Sequence, residues 1–545
     1  MPLAGNLHTA ETVFLFLLVL VALFAALAQR LKIPYPIVLV LAGLGISFVP
    51  SVPRIPLDPN LIFLVFLPPL LYASAWNTNL REFRKNLVTI AMLALGLVAF
   101  TVWGVAEVAD RFITALDWKS GFLLGAVVAT TDAIAAASIA KSIGLPQGIV
   151  DILEGESLVN DATGLLALEF GLGLLLRNET PTVAGGAIRL LWLLGGGVLV
   201  GLLLGVVIAW LERWVDDGPV EMVVSVIAPY AAYLAGEGIR SSGVIAVVTC
   251  GLYLSRRSAQ FFSPTTRIQI LGAWDALNFM LNGLVFVLIG LQLPYVMTGI
   301  RNESWPTLLQ YGSVFSLVLI VLRLIWMYPA SIFASFVRRK LLKQPVERPQ
   351  GREIFVLGWT GMRGVVALAA AISLPETLGD GRVFAQRNLI VFLTFSVILV
   401  TLVVQGLSLP ALIRRLGLAK TPGEGPDGEK EERYARRVML RAAIEHLEAG
   451  ARGGTSGAAA SEAETHAYRE LLNRYRYRLE AVQGVGQNLQ GAGAALQRGK
   501  ELQLDALRIE RSTLIELRDN ETIGDDVLRH LETELDLSEA RLTTR

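Results

Sequence analysis

The chain has 545 residues, 53% hydrophobic and only 17% charged, with a formal net charge of +1. Soluble globular domains carry about 25% charged residues, so this composition excludes an ordinary soluble enzyme and indicates an integral membrane protein; the near-neutral balance gives no case for a nucleic-acid partner. A single cysteine, Cys250, excludes a disulfide framework or a cysteine metal site within one chain, and His8, His446, His466 and His530 all lie outside the apolar spans, so no histidine relay is expected in the membrane and no resident cofactor is expected.

In chain order, about thirteen apolar stretches approach the roughly 20 residues needed to cross a bilayer. Their limits are 11–29, 35–50, 60–76, 87–109, 119–141, 145–176, 185–211, 220–237, 242–255, 269–294, 308–336, 353–375 and 387–413. The first lacks a preceding basic region and is followed by Arg30 and Lys32, which reads as a transmembrane helix and not a cleaved signal. Basic residues crowd alternate loops: Arg81, Arg84 and Lys85, then Arg256, Arg257 and Arg267, then Arg338 to Lys343, and finally Arg414, Arg415 and Lys420. The positive-inside rule makes that side cytoplasmic, with the N-terminus outside and the C-terminus inside, in the plasma (inner) membrane.

After Leu418 the composition changes. The expected organisation is a transmembrane domain over 1–418, a Gly/Pro-rich linker over 419–430 and a helical cytoplasmic region over 431–545. In that last region Leu440, Ile444 and Leu447 keep helical spacing, as do Leu528, Leu531 and Leu535, with Gly453 to Gly457 as a loop between helices. Nothing there has catalytic spacing. The fold class is an all-α polytopic membrane protein with inverted repeats and broken helices at the midplane, plus a helical cytoplasmic tail.

Three stretches carry ionisable residues at bilayer depth, where each charge costs about 3 kcal/mol on insertion scales and marks function by default. The fifth holds Thr130-Thr131-Asp132, the sixth Glu156-Ser157-Leu158-Val159-Asn160-Asp161, and the twelfth Gly361-Met362-Arg363-Gly364. Helical spacing puts Ser157 and Asp161 on one face and Glu156 and Asn160 on its neighbour. Adjacent threonines, and glycines around a charge, suit locally unwound helices whose free backbone groups face a central site. The fifth and twelfth stretches also hold matching places in two halves, the fourth to sixth and eleventh to thirteenth spans. Arginine stays charged. Arg363 is therefore expected to pair with Glu156 as a structural ion pair, leaving Asp161 and Asp132 at a cation site completed by oxygens of Thr131, Ser157 and Asn160. Hard monovalent cations want such oxygens. Burial disfavours the bare carboxylate, so Asp161 is expected to hold a proton or a metal ion, never both. Arg323 is expected to pack against carbonyls or a carboxylate, and Asp275, Asn282 and Glu237 to hold the fold or lie at the interface and not to ligate the ion.

These residues carry a resemblance. With Phe66-Leu67-Pro68-Pro69-Leu70-Leu71, Ser242-Gly243-Val244, Asn282-Gly283 and Val365-Val366-Ala367-Leu368 in the same order, residues 10–415 resemble bacterial sodium/proton antiporters of the monovalent cation:proton antiporter-1 family. The resemblance implies exchange of Na⁺ (or K⁺ or Li⁺) for H⁺ by alternating access, a mobile core and a dimerisation part, a homodimer and a role in pH homeostasis. It implies Asp161 as the exchanging carboxylate, Thr131 and Ser157 as further metal-site residues, Asp132 beside them, and Glu156 paired with Arg363. Asn160-Asp161 in place of two aspartates resembles the electroneutral branch. Two departures stand out. Ala73 occupies a position where many relatives carry an acid, so it supplies no ligand. Ala133 replaces a proline often found after the Thr-Asp pair, which removes one local reason for unwinding at Asp132.

Two other readings fit the same residues: an intramembrane aspartyl protease built on Asp132 and Asp161, although neither has the Gly-x-Gly-Asp setting of presenilin-like enzymes, and a cation channel of the same fold.

Overall fold

The computed structural model describes the chain except residues 1–2, 51–57, 114–115, 144, 177–181, 216, 263, 301–303, 345–349, 379–381, 419–425, 453–461, 484–488, 521–530, 532–533, 540–541 and 543–545. Each apolar stretch read from the sequence carries a helix or a pair of half-helices. In order these are α1 (Leu3–Leu31), α2 (Tyr35–Ser47), α3 (Pro59–Asn77), α4 (Leu80–Phe112), α5 (Trp118–Ala129), α6 (Ala133–Ile143), α7 (Gln147–Leu176) and α8 (Val183–Leu211). There follow α9 (Gly218–Gly238), α10 (Gly243–Phe261), α11 (Pro264–Leu291), α12 (Trp305–Lys340), α13 (Gly351–Trp359), α14 (Val365–Ile372) and α15 (Arg387–Arg415). Among the described residues, nine helices are long and apolar enough to cross a membrane; α2 and α5 are apolar but shorter.

Several helices start where the sequence offers a side-chain oxygen for their free N–H groups. Asp117 accepts from Ser120 N at the head of α5, Thr182 from Gly185 N before α8, Asp217 from Val220 N before α9, and Ser242 from Ile245 N before α10. Between membrane helices the hydrophobic effect gives little preference, so close packing through small residues decides who neighbours whom. At the α2–α11 contact, a Cβ on Gly43 would strike the Val287 carbonyl and one on Gly290 the Val40 carbonyl. That approach brings α11, with Asn278 and Asn282, beside the centre of the bundle.

Residues Met1–Thr421 and Pro422–Arg545 form two separate compact units. The second holds α16 (Pro426–Arg452), α17 (Glu462–Gln483) and α18 (Leu489–Asp519). Residues 426–430, read from sequence as linker, are therefore helical; 419–425, the 453–457 loop and Leu528 lie outside the described residues. Arg476 of α17 pairs with Glu448 of α16 at 2.7 Å, and Leu440 and Ile444 are buried.

Candidate functional site

The fifth and twelfth spans are both interrupted. Between α5 and α6, residues Thr130, Thr131 and Asp132 leave the helix; between α13 and α14, residues Thr360 to Gly364 do the same. The two breaks meet: Asp132 N–H donates to the Met362 carbonyl at 2.9 Å. The first half of one, α5, packs beside the second half of the other, α14, so the interrupted helices cross antiparallel. The missing proline at 133 does not prevent unwinding, because the freed backbone groups find other partners. Ser157 Oγ donates to the Thr131 carbonyl at 2.9 Å, and Arg363 N–H donates to Thr401 Oγ1 at 3.1 Å from a π-turn in α15.

Asp132 immediately precedes the N-terminus of α6 and lies against Gly364, the residue before α14; a Cβ on Gly364 would land on its carboxylate. Two positive helix ends thus converge on one carboxylate. The Gly364→Ala variant is expected to lose on the order of 1–3 kcal/mol through overpacking at this crossing. Thermal unfolding of the purified protein measures it, and an unchanged Tm would contradict so close a crossing.

On α7 the polar residues sort as helical spacing requires. Glu156 is buried and bidentate to Arg323 of α12, with Nη1 to Oε1 at 2.5 Å and Nη2 to Oε2 at 2.8 Å; Nη2 also donates to the Leu357 carbonyl at 3.2 Å. Thr131 Oγ1 donates to the same Glu156 Oε1 at 3.1 Å and accepts from Asn160 Nδ2. The expected Glu156–Arg363 pair is therefore corrected: the partner is Arg323, whose side chain fills the space that a Cβ on Gly361 would occupy. Among the described residues, Arg363 Nε and Nη1 have no hydrogen-bond partner, although the side chain is buried.

One step round α7, Asp161 is 5% exposed and opens on a cavity of about 60 Å³. At roughly 10–15 Å³ of such space for each water, this holds a few waters or one partly hydrated small ion. Its polar lining is Ser74, Thr130, Thr131, Asp132, Ser157, Asp161 and Asn282, within walls from Leu67, Leu70, Val285 and Phe286. Thus Asp161, Asp132, Thr131 and Ser157 are brought to one space. Asn160 and Glu156 stand behind it, acting on it through Thr131, and Arg363 does not line it. Asn160 Oδ1 has no partner among the described residues. Asn282, read from sequence as a fold-holding residue, lines the cavity instead. The available signal was its spacing of four from Asn278, to whose Oδ1 it donates at 2.9 Å. The arrangement is a carboxylate secluded from bulk water, with hydroxyl and carbonyl oxygens around it, able to take a proton or a small hard cation.

Comparison with known proteins gives the same direction. A family model described as sodium/hydrogen exchanger, transmembrane, matches residues 16–415. The chain is 32% identical over 540 residues to an uncharacterized Na⁺/H⁺ exchanger of Mycobacterium bovis, covering 96% of each. It is 31% identical over 525 residues to a sodium, potassium, lithium and rubidium/H⁺ antiporter of Bacillus pumilus, covering 94% of this chain and 75% of that one. Among solved structures, the sodium proton antiporter MjNhaP1 of Methanocaldococcus jannaschii has the same fold, with a TM-score of 0.58 at 21% identity, over 76% of this chain and 100% of that one.

Proposed function

The chain belongs to the sodium/hydrogen exchanger family, and from that premise we propose that it exchanges one monovalent cation for one proton at Asp161. It is a multi-pass membrane antiporter, a transporter and not an enzyme, which removes the intramembrane protease reading. The finer reading rests on one observation: Asp161 is the carboxylate of α7 that opens on the central cavity, while Glu156 is held by Arg323. Asp161 binds the cation with Thr131 and Ser157 oxygens, Asp132 lies beside it holding the two helix ends, and Asn160 fixes Thr131. The competition of H⁺ and Na⁺ for one side chain couples their movements. The loaded or protonated site crosses by movement of the helices around the crossing against the rest, and the bare charge does not.

With Asn160 neutral and Asp132 engaged at the helix ends, one charge enters for each that leaves, so exchange is electroneutral. Na⁺ is the principal cation, with K⁺ and Li⁺ as further substrates, as the name of the Bacillus relative has them for that protein. The protein works as a homodimer in the plasma membrane in pH homeostasis, with its N-terminus outside and C-terminus cytoplasmic. The test is ion-dependent proton flux in proteoliposomes with Na⁺, K⁺ and Li⁺ compared. Na⁺-driven flux is expected to be unaffected by a clamped membrane potential. A voltage-dependent rate would overturn electroneutrality, and cation flux independent of the proton gradient would make it a channel.

A further inference from the structure

A second, more polar cavity of about 200 Å³ adjoins the first, sharing Leu70, Ser74 and Asn282 with it. Its other walls bring Tyr35 from the start of α2, Ala73 and Asn77 from the end of α3, Ser138 from α6 and Asn278 from α11, and among the described residues its one carboxylate is that of Glu154. Glu154 is 8% exposed. It stands seven residues before Asp161 on α7, which is two turns, about 10.5 Å along the axis and nearly the same face. The two carboxylates are therefore stacked, one in each of two adjoining cavities. Tyr35 and Asn77 sit at helix ends flanked by Arg30 and Lys32 and by Arg81, Arg84 and Lys85, the basic loops that the positive-inside rule assigns to the cytoplasm.

We propose that this cavity is a cytoplasmic waiting site for a hydrated monovalent cation, held by Glu154 before transfer to Asp161; the inference rests on the antiporter reading above. The lining suits such an ion. Asn77 Nδ2 donates to the Ala73 carbonyl at 3.0 Å, and Asn282 Nδ2 to Asn278, so each keeps an amide oxygen as an acceptor. Ser74 and Ser138 add hydroxyls. A carboxylate with neutral oxygens around room for several waters attracts an alkali ion without stripping it. Glu154 also has a polar interaction within the protein, so the test must separate cation attraction from a structural role.

In inside-out vesicles, Glu154→Gln is expected to raise the apparent KM for Na⁺ about fivefold to tenfold, the effect of removing one charge at that distance in a partly screened site, with the maximal rate retained. Moving the charge across the same cavity, in the double variant E154Q/A73D, is expected to lower KM most of the way back. A purely structural Glu154 would instead reduce the amount of folded protein or the maximal rate, with no recovery from A73D, and that result overturns the proposal, as does an unchanged KM. If E154Q is not recovered in membranes, A73D alone carries the test: a second carboxylate should lower KM, and an unchanged or raised KM overturns the waiting site. Wild-type exchange in the same vesicles keeps a failure here distinct from failure of the antiporter reading, which would appear as no exchange by the unaltered chain.

Discussion

Asp161→Asn is expected to reduce cation-dependent proton movement to the background of empty vesicles while leaving the protein folded. An amide is close to isosteric with the carboxylate and can still hydrogen-bond, so the cavity wall should persist. What it cannot do is bind a proton reversibly or offset a cation's charge, and both halves of the exchange need that. Burial makes the loss total: at 5% exposure no bulk water can substitute for the missing charge. Dye-monitored exchange in inverted vesicles measures the rate, and thermal unfolding checks the fold. Normal exchange by this variant would remove Asp161 from the mechanism. A folded but silent Asp161→Asn, set beside an E154Q that changes KM alone, would separate the exchanging carboxylate from the one that feeds it.

Arg323→Ala is expected to cost about 3–5 kcal/mol of stability, the usual consequence of leaving one partner of a buried ion pair without the other. Glu156 would keep its hydrogen bond from Thr131 but lose both guanidinium contacts. Replacing both partners with leucine should cost less than Arg323→Ala alone, because Glu156 is then not left buried without its guanidinium. Arg363→Ala should be milder, since its Nε and Nη1 lack partners among the described residues. Yield and Tm in detergent give the order. If Arg363→Ala proved the more damaging, Glu156 would have to be shared with Arg363 in the membrane. The same pair touches function through Thr131, which bridges Glu156 to Asn160 and lines the cavity that Asp161 opens on.

Much of this was legible before any coordinates. Residues 145–176 are apolar enough to span a membrane yet carry Glu156, Asn160 and Asp161, and lipid tolerates such groups only where something holds them. Thr130-Thr131-Asp132 and Gly361 to Gly364 read as breaks, and both are breaks. The helical period separated Glu156 from Asp161, and the structure does place one against an arginine and the other at a cavity. The sequence reading failed at the choice of arginine. It favoured Arg363 because that residue lies near the centre of its span, where a charge that cannot be lost needs a carboxylate. Yet Gly361 leaves room for Arg323 from a different helix. The sequence reading also took Asn282 as holding the fold and gave Glu154 no role, since α11 and the start of α7 come beside the centre only through packing.

The linear chain determined that the protein spans a membrane with many helices, that a few polar residues sit at its middle, and how they are ordered around each helix. Those properties follow from hydropathy, length and the 3.6-residue turn, which are local. Only the tertiary structure decided that Glu156 belongs to Arg323, that Asp132 meets two helix ends at once, and that Glu154 and Asp161 open on adjoining cavities. Those facts depend on which helices touch, and between membrane helices that choice is made by close fits such as Gly43 against Val287 and Gly290 against Val40, which no single helix records.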